Sequence, residues 1–287
     1  MEFSGIGIGI SDFKALRLRK NYFIDKSMYI KDIIDNQSGV VLITRPRRFG
    51  KTLNMSMLRY FFDCNIKEGK ELFEGLKIME QEEKYTSKLG AYPCIYLTMK
   101  DLNVSTYEYM LMQLRTSMME IYFEKRYLLE GDIPEGEREI YNKMLAAKTN
   151  EMEILNSVKI LSKLLYQYYN KPVMLFIDEY DVPLQTAYVE GYYEQAVKFL
   201  KTFYGTTFKD NPYLEKTVLT GVSRVAKESI FSGANNIDVY TVLDNEFADD
   251  FGITSEEIKK IVEDFKVEDD VEEIKKWYDG YRIGKVE

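Results

Sequence analysis

GVVLITRPRRFGKT, residues 39–52, is the stretch whose reading decides the fold. An apolar run passes through an arginine-rich turn into Gly50-Lys51-Thr52, and LNMSMLRYFF follows. A short apolar run of this kind reads as a strand buried on both faces, as in a parallel sheet. Its polar residues fall at the C-terminal end, where open α/β sheets bind ligands. A strand, then Gly-Lys-Thr, then an apolar helix makes an anion cradle, with backbone N–H groups and the helix N-terminus facing the charge. The cradle residues expected here are Arg47, Arg48, Phe49, Gly50, Lys51, Thr52 and Leu53. Lys51 is expected to reach terminal phosphates, and the Thr52 hydroxyl to hold magnesium.

Working outward, VMLFIDE at residues 173–179 is a second apolar run, ending in Asp178 and Glu179. A distant strand ending in two acids supplies a second magnesium partner, Asp178, and a carboxylate that orients water, Glu179. Helix capping would explain one acid at a strand end; it does not explain two in a chain that also carries Gly-Lys-Thr. The phosphate loop has one anomaly. The pattern G-x-x-x-x-G-K-[ST] has Arg45 at its first glycine position, and Pro46 removes a backbone N–H. The plainer alternative is an arginine-rich turn in which Gly50 only caps a helix. Arg47 and Arg48 either touch phosphate or hold the loop.

Composition narrows the chemistry. The 287 residues are 45% hydrophobic, enough for one large or two small domains. The net charge of −8 argues against broad, charge-driven binding to nucleic acid. There is no histidine. That excludes imidazole bases, histidine-bound zinc and Ser-His-Asp catalysis, and leaves carboxylates, lysine, arginine or metal. Cys64 and Cys94 lie in apolar runs without metal-like spacing and read as free thiols of a reducing cytoplasm. No signal peptide is expected, and no apolar run approaches ~18 residues, so neither is a membrane span.

Along the chain, helices are expected at 51–63, 106–125, 154–169 and 193–208, and strands at 39–44, 93–99, 173–178, 216–222 and 238–243. The stripe Tyr107, Met110, Leu111, Leu114, Met118 reads as core. Residues 130–137 read as an acidic surface loop, and Pro183 and Gly191 mark a loop before the helix at 193. TSEEIKKIVEDF opens with a capping-box spacing at Thr254, and a short helix is expected at 271–278. Asp25 and Lys26 read as a solvated pair near a helix start. Asp181 is either functional or a turn residue ahead of Pro183, and Asn235 and Asn236 read as turn-forming.

The sequence resembles the AAA-ATPase-like proteins of bacteria, often fused to a C-terminal PD-(D/E)XK nuclease-like domain. The resemblance is carried by YFIDKSMYI (22–30), LITRPRRFGKTLNMSMLRYFFD (42–63), LFEGLKI (72–78), YPCIYLTMKD (92–101), FIDEYDVPLQTAY (176–188), FKDNPYLEKTVLTGVSRVAKESIFSGANN (208–236) and WYDGYRIG (277–284). Arg45 belongs to that family's pattern. Family members commonly continue past WYDGYRIG, so no nuclease expectation carries over to these residues.

The resemblance implies a three-layer α/β P-loop NTPase of the additional-strand type, with a parallel sheet and a small C-terminal helical appendage. Residues 1–38 would pack on a core of 39–253, with 254–287 as the appendage. The implied ligands are ATP and Mg2+, the implied activity ATP hydrolysis, and the rival reading a nucleotide-gated switch with little turnover. Catalytic work falls to Glu179, Lys51 and Arg224, and metal binding to Thr52 and Asp178. Arg224 follows the strand that such folds place between the phosphate-loop strand and the Asp-Glu strand, where a polar group points at the γ-phosphate; the alternative is a surface ion pair. The segment with Asp25 and Lys26 would lie near the nucleotide base. A homo-oligomer, and a fused or partner nuclease-like domain, stay open, as does nucleic acid. Right-handed crossovers then predict the sheet order 238–243, 39–44, 216–222, 173–178, 93–99, all parallel.

Overall fold

The computed structural model describes residues 4–209, 211–223, 230–231, 237–266, 274 and 282–285. Five strands form one sheet: β1 (Val40–Thr44), β2 (Cys94–Thr98), β3 (Val173–Asp178), β4 (Leu214–Gly221) and β5 (Ile237–Tyr240). Their order is β2-β3-β4-β1-β5, and each pairing is parallel. This is the predicted order, with β4 between the phosphate-loop strand and the acid strand.

Side chains alternate across a strand, so the two faces of the sheet collect different residues. Leu42, Leu97, Leu175, Ile177 and Leu219 enter one core layer, with Met110, Leu114, Met118, Leu161 and Phe203. Val41, Ile43, Phe176 and Val218 enter the other, with Ile30, Ile33, Leu58 and Phe61. The helices behind these layers are α1 (Phe13–Leu18), α2 (Met28–Asp35), α3 (Lys51–Phe62), α4 (Tyr107–Glu124), α5 (Glu135–Leu145), α6 (Ser157–Tyr169), α7 (Val182–Glu190), α8 (Tyr193–Phe208) and α9 (Ser255–Phe265). The methionine stripe on α4 is core, as its spacing predicts. Thr254 and Glu257 form the capping box of α9.

Several expectations need correction. The segment read as a loop after β3 is α7. Pro183 sits in the first turn of α7, where its missing N–H costs nothing, and Gly191, with φ 83°, ends the helix. The acidic loop is shorter than expected because α5 starts at Glu135, with Glu135 and Glu137 favoured in its first turn. The helix expected at 154–169 is two pieces. An Asn150–Glu153 capping box starts a short helix at Glu151, and Asn156 separates it from α6. β5 stops at Tyr240 because Asp244 accepts from both the N–H and the hydroxyl of Thr241, closing a turn. The helix expected at 271–278 lies almost wholly outside the described residues.

Candidate functional site

β1 delivers the chain to a loop whose backbone is left-handed at Arg48 (φ 70°) and Gly50 (φ 78°). A glycine adopts this shape freely, whereas a non-glycine residue there costs roughly 1–2 kcal/mol. Gly50 is the N-cap of α3, so the helix starts at Lys51 with its unpaired N–H groups at the loop. The Lys51 side chain is 7% exposed and folds back, its Nζ donating to the carbonyls of Arg45 at 3.0 Å and Pro46 at 2.8 Å. Burial lowers the Lys51 pKa, while the charges of Asp178, Asp181 and Glu179 work in the opposite direction.

Two strands away, β3 ends at Asp178, which is 1% exposed. Its Oδ1 accepts from the Thr220 hydroxyl on β4 at 2.5 Å and from the Glu179 N–H at 3.1 Å. Glu179 is left-handed at φ 56°, a bend that turns its side chain out of the strand line. Burial raises the Glu179 pKa, the Asp178 charge adds to this, and Lys100 and Lys51 oppose it.

Asp181 is buried and braces the next strand. Its Oδ2 accepts from the N–H groups of Val222 and Ser223 at 3.1 and 2.8 Å, the Ser223 hydroxyl at 2.8 Å and the Gln185 amide at 2.6 Å. These bonds hold the turn, and the same residue also faces the cleft.

The loop, the start of α3 and the acid turn enclose one cleft of about 960 Å³. Of the expected residues, Arg47, Arg48, Gly50, Lys51, Thr52, Leu53 and Glu179 line it, and so does Asp181. Asp178 is buried and not among the lining residues, and Phe49 packs beside Gly252, where an added Cβ would stand 2.9 Å from its ring. Arg224, Asn235 and Asn236 lie outside the described residues. Asp25 does not behave as a solvated pair with Lys26. Its carboxylate accepts from the N–H groups of Ser27 and Lys77, and Lys26 reaches Glu257 at 2.7 Å. The N-terminal residues that line the cleft are Gly9, Ile10 and Ser11.

Sequence reasoning passed over Lys100, Asp101 and Asn103, which also line the cleft. They follow β2 at the same C-terminal sheet edge, so the strand-end rule that selected Lys51 and Glu179 applies to them equally. Among the described residues, no three acidic or cysteine side chains gather into a metal site. The oxygen donors Thr52 and Asp178 suit magnesium, which commonly takes one or two protein oxygens and completes its shell with phosphate and water.

Among the described residues, no helix is long and apolar enough to cross a membrane. The family model described as "Predicted AAA-ATPase" matches residues 7–231. A search of curated proteins finds similarity to the "Uncharacterized protein in vnfD 5'region" of Azotobacter chroococcum mcd 1, 25% identical over 276 residues. That alignment takes in 96% of this chain and 48% of the relative, so the chain spans about half the relative's length.

Proposed function

The chain belongs to the predicted AAA-ATPase family, and from that premise we propose that it binds ATP with magnesium and hydrolyses it. The observation that carries this reading is the single cleft lined by Lys51, Thr52 and Glu179, at the C-terminal edge of a parallel sheet. Lys51 leaves the carbonyls of Arg45 and Pro46 for the β- and γ-phosphates, exchanging two neutral acceptors for charged ones. The N–H groups at the start of α3 face the same phosphates. Thr52 and Asp178 are the residues that would hold magnesium, which when bound offsets negative charge on the phosphates. Asp178 is already oriented for this by Thr220. Glu179, with its raised pKa, orients the attacking water and accepts its proton. Arg224 is assigned a sensor role from its place after β4.

The rival reading, a nucleotide-gated switch, draws on the loop itself. Pro46 offers no N–H, and the Lys51 Nζ has two main-chain acceptors of its own. Both readings include binding and differ in turnover. Multiple-turnover phosphate release by the purified chain with ATP and with GTP separates them. Sustained release, many phosphates per chain, is expected. Tight binding with release of no more than one phosphate per chain would establish the switch.

A further inference from the structure

The anomalous Arg45 is fully buried, and it points away from the cleft. Its guanidinium donates to the carbonyls of Thr44 at 3.0 Å, Tyr240 at 3.5 Å, Glu246 at 3.3 Å and Phe247 at 2.9 Å, and lies 5.4 Å from the centre of the Phe251 ring. Its backbone faces the other way. The Arg45 N–H donates to the Gly221 carbonyl at the tip of β4, and the Arg45 carbonyl accepts from Lys51 Nζ. Further along the loop, the Gly252 N–H donates to the Phe49 carbonyl at 3.1 Å, and the Asn54 amide donates to the Asp250 carbonyl at 2.7 Å. Residues 240–252 therefore form a strap against the phosphate loop, with Arg45 joined to both.

Burying a guanidinium among neutral carbonyls is a poor way to gain stability, because the cation gives up its hydration. Its planar fork of five donors can nevertheless join several carbonyls that no apolar side chain could hold together. We propose that Arg45 is the positioning residue of the phosphate loop, clamping it to the strap at 240–252 so that the loop and the α3 N-terminus keep the shape that receives phosphate. Arg45 is not among the residues that line the cleft. The nucleotide part of the inference rests on the ATP reading above; the clamp itself does not.

Hydrogen–deuterium exchange on the full chain, paired with MgATP titration calorimetry, tests this in wild type, Arg45→Met and Arg45→Lys. In Arg45→Met, peptides covering 46–50 and 241–252 are expected to exchange together, roughly 10-fold or more faster than in wild type, while helix α4 keeps its protection. The MgATP Kd is expected to rise roughly 10-fold or more, the scale of losing hydrogen bonds to a charged group. Arg45→Lys should restore part of both, because an ammonium reaches some of the carbonyls but cannot span them all. Unchanged exchange, or loosening of only one of the two segments, overturns the clamp whether or not nucleotide binds. Loosening of both with an unchanged Kd overturns the positioning role. Wild type that binds no MgATP overturns the ATP reading, and the exchange arm alone then decides the clamp. If Arg45→Met does not fold, Arg45→Lys must show the same paired loosening in smaller measure, and its absence overturns the proposal.

Discussion

The loop after β1 and the turn after β3 do related work with opposite supports. Both follow a fully buried strand, and both bend through a left-handed non-glycine residue, Arg48 in one and Glu179 in the other. The turn after β3 is braced by an anion. Asp181 gathers N–H groups 41 and 42 residues later in the chain, from the end of the adjacent strand. The loop after β1 is braced by a cation. Arg45 gathers carbonyls 195 to 202 residues later, from the strap near the other end of the described chain. The acid turn is therefore tied to the chain just past β4, while the phosphate loop depends chiefly on the segment that ends and follows β5. Perturbing the strap should reach the phosphate loop first and the acid turn little.

The two halves should come apart when each is cut at its own functional group. On the loop side, Lys51→Ala removes a charge-assisted contact in a half-closed site. ATP affinity should fall by about 2–4 kcal/mol, read by calorimetry. Unchanged affinity would mean that nucleotide binds elsewhere. On the turn side, Glu179→Gln keeps size and hydrogen-bonding shape but loses the charge proposed to polarise water. Single-turnover hydrolysis should slow by roughly 10²-fold or more while the ATP Kd stays near wild type. Equal rates in wild type and variant would remove Glu179 from the chemistry and make Asp181 the next residue to replace. The raised Glu179 pKa also moves the acid limb of the wild-type rate profile upward. Activity should fade, as pH drops, at a higher pH than an ordinary glutamate would give.

The same contrast explains what could be read in advance. The strands and the lysine of the cleft were legible because buried parallel strands and Gly-Lys-Thr have strong local signatures, and the strand order because the resemblance implied the additional-strand arrangement. Helix α7 was not, because Pro183 reads as a breaker unless it falls in a first turn, and only the tertiary position shows that it does. Arg45 was visible only as a departure from the glycine pattern. Its partners are main-chain carbonyls, which every residue carries, so Glu246 and Phe247 bear no mark of their role. Asp181 was left between two readings for a related reason, since N–H groups at the tip of β4 leave no trace in side-chain chemistry.

Gly221 joins the two regions and sharpens the comparison further. Its carbonyl accepts from Arg45, while a Cβ on its Cα would stand 2.5 Å from the Tyr180 ring and 2.6 Å from Asp181 Oδ1. Neither neighbour is a free chain end, so the strand or the turn must shift. Gly221→Ala should lower stability by about 1–3 kcal/mol, the scale of overpacking, seen as a lower denaturant midpoint at constant slope. Because the substitution presses on Asp181 directly and on Arg45 only through its carbonyl, exchange should rise more in 178–185 than in 46–50. The reverse order would show that the loop, not the turn, is the softer of the two.

A further expected effect lies under the strap, at Asp250. Its carboxyl is buried, its Oδ2 has no hydrogen-bond partner, and burial pushes its pKa up to about 8. The nearby Asp32 charge adds to the rise, while Lys26 and Arg45 oppose it. The unfolded chain holds an ordinary aspartate near ~3.9. Between these values the folded state binds the extra proton, so stability is full below about pH 4, falls as pH rises and levels off above about 8. Asp250→Asn cannot ionise, and it leaves the carbonyl that accepts from Asn54 in place. Asp32 shares the proton as the two acids titrate together. Relative to wild type, the variant is therefore expected to be more stable at about pH 8, by an amount that shrinks toward about pH 4. Urea unfolding at several pH values reads it. A variant less stable than wild type at about pH 8 would mean that Asp250 is ionised and attracted to Arg45. The anchor of the phosphate loop would then be an ion pair, and the carbonyls around the guanidinium would be secondary to it.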